Sequence, residues 1–136
     1  MFSNEHLESS RWYMYDYNAV VKRVVDGDTI DVDVDLGFGV KITQRLRLAR
    51  IDAYETRLVK GTTPEDKEKG LEAKQFVADI LSGKTISIQT KKDRTGKYGR
   101  FIVEIFYFKD DDNVEEPEIN LNDQLVELGY AKYVKF

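Results

Sequence analysis

Asp28, Arg47, Asp52 and Glu55 are the residues of this chain whose types and spacing could do chemistry. Asp28 lies in Val25-Asp26-Gly27-Asp28-Thr29-Ile30. The other three lie in Leu46-Arg47-Leu48-Ala49-Arg50-Ile51-Asp52-Ala53-Tyr54-Glu55-Thr56. Carboxylate oxygens are ligands for hard cations such as calcium. A guanidinium nearby suits a phosphate, because its planar fork can hold two oxygens at once. A metal and a guanidinium aimed at one phosphate would serve phosphodiester chemistry. Arg47 stands inside an apolar strand pattern, where a charge is costly unless it meets a carboxylate or phosphate or faces out of the core. Lys97-Tyr98-Gly99-Arg100 places a second arginine at the start of another apolar run.

Composition narrows the alternatives. At 136 residues the chain is one domain by size and can bury its own core. Apolar residues make up 41% and charged residues 34%, as in a soluble globular protein with a charge-rich surface. There is no cysteine, which excludes disulfides and thiolate metal sites. The single histidine, His6, sits in a polar N-terminal stretch, so a histidine zinc site or a Ser-His triad is not expected. No apolar run approaches membrane-spanning length, and the polar opening residues lead us to expect no signal peptide there. A cytoplasmic location is expected for the chain as written, and secretion if an export signal has been removed.

The net charge of −4 argues against nucleic acid as a partner if taken as a sum. The distribution argues otherwise. Lys41, Arg45, Arg47, Arg50, Arg57 and Lys60 form one basic window, and Lys84, Lys91, Lys92, Arg94, Lys97 and Arg100 a second. Acids gather at Asp31, Asp33 and Asp35 and at the tip 110–118. The three alternating aspartates are not an EF-hand, since Leu36 and Ile42 occupy the positions that need glycine and an acid. They are the wet face of a half-buried strand.

The elements that must position these residues follow from periodicity. Residues 1–10 are expected to be disordered, and 11–136 to form one domain. Trp12 to Val25, rich in aromatic and β-branched residues, reads as a strand. Residues 29–36 alternate Ile30, Val32, Val34 and Leu36 against aspartates, the pattern of an antiparallel strand with one wet face. Gly37-Phe38-Gly39 turns the chain into a return strand over 40–51. A loop spans 52–63. Thr63-Pro64-Glu65-Asp66 opens a helix, with Gly70 weakening its first turn so that the firm helix starts there. Leu71, Ala73, Val77, Ile80 and Leu81 form its apolar stripe, and Gly83 ends it.

Residues 84–91 read as a fourth strand, 93–99 as a polar loop and 100–108 as a central fifth strand. Asn120 or Asn122 caps a second helix with Leu121, Leu125 and Leu128 on one face and Gly129 at its end. Five strands with a helix between the third and fourth give a mainly β, α+β chain: an OB-fold, a five-stranded Greek-key barrel with two helices.

Taken together, Asp-Gly-Asp-Thr, then Arg-Leu-x-x-Ile-Asp-x-x-Glu-Thr, then Lys-Tyr-Gly-Arg resembles the staphylococcal nuclease (thermonuclease) family. The similarity runs over roughly residues 18–134, through Gly70-Leu71-Glu72-Ala73 and Leu128-Gly129-Tyr130-Ala131-Lys132. It implies an OB-fold nuclease of DNA and RNA, endo- and exonucleolytic, leaving 3′-phosphates, preferring single strands and acting as a monomer with Ca2+ as cofactor. By the resemblance, Asp28 and Asp52 are the direct calcium carboxylates and Ala53 contributes its backbone carbonyl. Glu55 orients or deprotonates the attacking water, Arg47 and Arg100 grip the phosphate, and Lys97 and Tyr98 contact the substrate's terminal phosphate.

The chain departs from the family's pattern at several points. Ala53 replaces threonine, Tyr54 replaces proline, and the family's long C-terminal helix has no counterpart. Tyr133 lies near, but not in register with, a stacking tyrosine. The family's well-known secreted members are basic, whereas this chain is acidic. Two other classes stay open on the residues alone: an OB-fold module that binds single-stranded nucleic acid without cutting it, and a protein-interaction barrel whose acidic tip 110–118 is the contact.

Overall fold

The computed structural model describes residues 15–56, 61–95, 101–109 and 118–134, and for 91–95 the backbone only. The expected disordered segment 1–10, the middle of the first loop at 57–60, the Lys97-Tyr98-Gly99-Arg100 turn and most of the acidic tip lie outside the described residues.

Strands β1 (Tyr15–Asp26), β2 (Thr29–Asp35) and β3 (Lys41–Leu48) form an antiparallel meander. β5 (Thr85–Thr95) pairs with β1, and β6 (Phe101–Tyr107) pairs with β5, both antiparallel. β6 then meets β3 in parallel, Leu46 opposite Phe101 and Leu48 opposite Val103, which closes the barrel. The order β1-β2-β3-β6-β5 is that of an OB-fold. Two short pieces complete it. Among the described residues β4 (Ile51–Ala53) pairs only with β8 (Ala131–Tyr133), and β7 (Ile119–Asn120) caps the edge of β6.

The alternation in β2 works as its period requires. Ile30, Val32 and Val34 are buried in the core. The aspartates face β3, where Arg45 gives Asp31 two hydrogen bonds at 2.7 and 3.1 Å and Thr43 gives Asp33 one at 2.7 Å. These acids are therefore held by cross-strand partners. The β2–β3 turn places Gly37, Phe38 and Gly39 at φ 80°, 55° and 75°, and only the glycines take that left-handed backbone without cost.

Two expected boundaries shift. The return strand does not run unbroken to residue 51. It stops at Leu48, turns at Ala49 and Arg50, where Arg50 takes φ 68°, and resumes as β4. The fourth strand extends to Thr95, so the expected loop over 93–99 begins later.

Helix α1 (Pro64–Leu81) is one continuous helix, with Thr63 accepting from the Asp66 amide as its N-cap and Pro64 in the first turn. The expectation that it firms only at Gly70 fails, because Gly70 is a buried contact and not a weak point. Gly70, Ala73, Val77 and Leu81 form the buried stripe, and Leu71 is exposed. A backbone-to-backbone approach at Gly70 sets the helix rotation, which turns Leu71 about 100° away from the core. Helix α2 (Leu121–Glu127) is capped by Asn120, and buries Leu121, Asn122 and Leu125. Leu128 falls at its C-cap and is exposed, not on the apolar face. No helix among the described residues is long and apolar enough to cross a membrane.

Candidate active site

The site is built where β1 hands over to β2 and where β3 hands over to β4. The Asp26–Thr29 turn has a task for each residue. Asp26 accepts a 2.7 Å hydrogen bond from the Thr56 hydroxyl, which ties down the loop after Glu55. Gly27 sits under α1 and β4: a Cβ there would stand 3.0 Å from the Ala73 Cβ and 3.1 Å from the Ala53 Cβ. Asp28 is only 8% exposed. Its Oδ2 accepts from the Ala53 amide at 2.9 Å, and its Oδ1 from the Thr29 hydroxyl at 3.0 Å.

Arg47 lies opposite Thr29 in the β2–β3 register and is as buried as Asp28. Its Nη1 stands 3.2 Å from Asp28 Oδ2 and donates to the Leu48 carbonyl at 3.0 Å. Its Nη2 stands 3.2 Å from Asp52 Oδ1. One planar guanidinium thus spans both aspartates, which sequence separates by a whole hairpin. Asp52, from β4, leaves 61% of its side chain open to solvent. Burial pushes the Asp28 carboxyl above its ordinary range, with the Asp52 charge adding to the rise. Arg47, the Ala53 amide and the Thr29 hydroxyl oppose it without cancelling it.

Glu55 is exposed on the loop after β4. Its backbone is pinned from below, because the Glu55 and Tyr54 carbonyl oxygens pack directly on Gly70 of α1. The expected set Asp28, Arg47, Asp52, Ala53 and Glu55 therefore gathers on one end of the barrel. Arg100, Lys97 and Tyr98 lie outside the described residues; Phe101, which follows them, is registered beside Leu46 of β3.

The donors present are of one chemical kind. Asp28 and Asp52 supply carboxylate oxygens. Ala53 turns its amide toward Asp28, and the amide and carbonyl of a strand residue leave on the same side, so its carbonyl shares that edge. Among the described residues no three His, Cys, Asp or Glu side chains converge. An all-oxygen set of two carboxylates and a carbonyl fits a hard cation that fills its remaining positions from water and substrate.

Sequence reasoning missed a second cluster that holds β4 in place. Arg50 donates to Glu104 through Nε at 3.0 Å and Nη2 at 2.6 Å. Its Nη1 stands 2.8 Å from Asp123 of α2, and its guanidinium lies 5.8 Å from the Tyr133 ring centre. Tyr133 donates to Asp123 at 2.9 Å, and Asn120 to Glu104 at 3.1 Å. Tyr133 is thus engaged with this cluster. These bonds hold the Asp123 carboxyl below its ordinary range and raise the Tyr133 hydroxyl.

Beside the cluster, the buried Asn122 accepts from the Ile105 amide at 3.1 Å and donates to the Ala49 and Val103 carbonyls at 2.9 and 3.0 Å. Like Arg47, Arg50 before Ile51 and Glu104 inside Ile102-Val103-Glu104-Ile105 stand out in the sequence. Each is a lone charge in an apolar run that needs a partner.

Residues 45–136 match the family model described as staphylococcal nuclease homologue. An uncharacterized protein of Methanocaldococcus jannaschii is 34% identical over 85% of this chain and 58% of its own length. A thermonuclease of Staphylococcus hyicus is 36% identical over 82% of this chain and 56% of its own. An endonuclease of Bacillus subtilis is 31% identical over 85% of this chain but only 9% of its own. The chain therefore spans little more than half the length of two of these relatives and a small part of the third. Asp28 precedes the span matched by the family model, so its place in the site rests on its contacts with Arg47 and Ala53.

Proposed function

The chain belongs to the staphylococcal nuclease homologue family, and we propose that it is a calcium-dependent nuclease domain. Its reaction would be hydrolysis of phosphodiester bonds in DNA and RNA, single strands preferred, leaving 3′-phosphates. The observation that carries this reading is the single guanidinium of Arg47 held between Asp28 and Asp52 at the ends of rigid strands. Relatives named as endonuclease and thermonuclease support it.

In this reading Asp28, Asp52 and the Ala53 carbonyl hold the cation. Calcium bound there would neutralise and polarise the phosphodiester. Arg47 is held by burial and by the Leu48 carbonyl, and its guanidinium would turn from Asp28 and Asp52 to the phosphate as the cation takes up the two carboxylates. Arg100 is assigned a grip on the same phosphate, and Lys97 and Tyr98 the substrate's terminal phosphate. Glu55, exposed and held by its backbone, accepts a hydrogen bond from water and takes its proton as the oxygen attacks phosphorus. The attacking water leaves a hydroxyl on phosphorus, and the 5′ oxygen departs and takes a proton from solvent, yielding a 3′-phosphate and a 5′-hydroxyl.

The test is a cleavage assay on labelled single-stranded DNA and RNA with calcium, with magnesium and with EDTA. Cutting in calcium that stops in EDTA is the expected result. Cutting that persists in EDTA, or runs equally in magnesium alone, overturns the calcium assignment. Binding without cutting under every condition makes the chain a nucleic-acid-binding module.

A further inference from the structure

Tyr54 stands between Asp52 and Glu55, and its ring gathers two lysines from different elements. The ladder between β4 and β8 pairs Asp52 with Lys132, and the Tyr54 amide continues it by donating to the Tyr130 carbonyl at 3.4 Å. Period two then puts the Asp52 and Tyr54 side chains on one face, and the register puts Lys132 on that face too. Lys132 Nζ lies 5.5 Å from the Tyr54 ring centre. Lys69 of α1 reaches the same ring, Nζ 5.1 Å from its centre. Lys69 immediately precedes Gly70, so the contact that pins the Glu55 loop also places Lys69 beside it.

Among the described residues the arginines around the site have carboxylate partners: Arg47 has Asp28 and Asp52, Arg50 has Glu104 and Asp123, and Arg45 has Asp31. Lys69 and Lys132 have none among the described residues. Both are exposed. An aromatic face attracts an ammonium by only about 0.5–1 kcal/mol at such a site and leaves its N–H donors free. Two like charges drawn to one ring repel, and an anion bound beside them lowers that repulsion. In a chain of net charge −4, an unpaired cation pair beside the candidate centre is a local receptor for an anion.

We propose that Tyr54, Lys69 and Lys132 form a subsite for a non-scissile backbone phosphate of the nucleic-acid strand, on the β4–α1 side of the candidate centre. The proposal rests on the nuclease reading of that centre and extends it to the flank of the substrate. Lysine suits the task, since a mobile point charge can follow a flexible single strand where a fixed fork would not. The subsite does no chemistry; it lengthens the stretch of strand that the protein holds.

The test is fluorescence anisotropy of a single-stranded DNA oligonucleotide with calcium, titrated over salt, on a Glu55→Gln background that binds without turnover. Lys69→Gln with Lys132→Gln should weaken binding by about tenfold and reduce the log–log salt slope by about 0.7, the value for one lost phosphate contact on a single strand. Lys22→Gln, a lysine that pairs with Asp33 away from the site, is the charge control and should change neither. In turnover with Glu55 intact, the double variant should raise KM, more so for longer strands, with kcat affected far less.

A double variant with the background's affinity and salt slope overturns the subsite while leaving the nuclease reading standing. A protein that neither binds nor cuts nucleic acid overturns both. Melting temperatures of all variants should match their background, because both lysines are exposed.

Discussion

The carbonyl oxygen of Glu55 lies against the Cα of Gly70, leaving no room for a side chain at that helix position. A glycine-to-alanine change inside a helix ordinarily stabilises by about 0.5–1 kcal/mol. Here the added methyl would overlap backbone, which cannot swing aside as a side chain end can. Gly70→Ala should therefore lower stability by about 1–3 kcal/mol and push the Glu55 loop outward. Activity should fall by about tenfold or more, since small displacements of a positioned group cost rate. A thermal melt with a steady-state cleavage assay checks both; a variant that melts higher and cuts normally would show that the loop yields freely.

Arg50 combines a left-handed backbone with a multiply bonded side chain, and the two can be separated. Arg50→Ala loses the bonds to Glu104 and Asp123 and keeps the strained φ of 68°. Arg50→Gly loses the same bonds and relieves the strain. Glycine should therefore be the more stable of the two by about 1 kcal/mol, measured by urea unfolding. Both should lie below the parent, because Glu104 is left buried and charged. Equal stability of the two variants would mean that the corner is not strained.

Acid sensitivity should be traceable to Asp123 and Asp31. The hydrogen bonds from Arg50 and Arg45 hold these carboxyls below the ordinary value of 3.8. A carboxyl depressed in the folded state contributes stability above its unfolded pKa and loses it as pH falls through the folded value. Asp123→Asn and Asp31→Asn should each flatten the acid limb of a urea midpoint-against-pH curve below about pH 4. Parent and variant curves that stay parallel there would contradict the assignment.

Asn122 uses both ends of its amide in the core, accepting from one main-chain N–H and donating to two carbonyls. Asn122→Asp keeps the shape but removes both donors and sets a carboxylate against two carbonyl oxygens. It should cost at least about 3 kcal/mol near neutral pH, with partial recovery in acid as the carboxyl protonates. Chemical unfolding at two pH values measures this. A cost below about 1 kcal/mol would mean that water replaces the amide.

Arg47 has two roles that different substitutions resolve. Arg47→Lys keeps a charge near Asp28 and Asp52 but loses the two-oxygen grip. It should fold and cut with kcat lower by on the order of 10²-fold, KM shifting less. Glu55→Gln and Arg100→Lys should show comparable losses. Arg47→Ala should also be less stable by about 3 kcal/mol, because Asp28 stays buried without its cation. Wild-type cleavage by folded Arg47→Lys and Arg100→Lys would remove both arginines from the mechanism.

Much of this protein is determined locally and could be read from the chain alone. Period-two alternation over Ile30, Val32 and Val34 depends only on which side of a strand meets water, and it specified β2 and its wet aspartates. Thr63 and Pro64 announced α1 because a cap bonds within its own turn. The candidate site was legible because Arg47 is a charge inside an apolar strand pattern, and Asp28, Asp52 and Glu55 are carboxylates at or beside the hand-over from one element to the next.

Tertiary structure decided what depends on partners remote in sequence. The break at Ala49–Arg50 is invisible locally, since its causes are Asn122, Glu104 and Asp123, more than fifty residues away. Gly70 looks like a weak helix position until the Glu55 carbonyl is placed against it. Leu71 and Leu128 fit apolar stripes by spacing, yet helix rotation, set by a backbone contact in one case and a helix end in the other, leaves them in solvent. That one guanidinium bridges two aspartates, and that Tyr54 collects lysines from a helix and a strand, followed only from the β2–β3 register, the β4–β8 ladder and the packing of Gly70 on the Glu55 carbonyl.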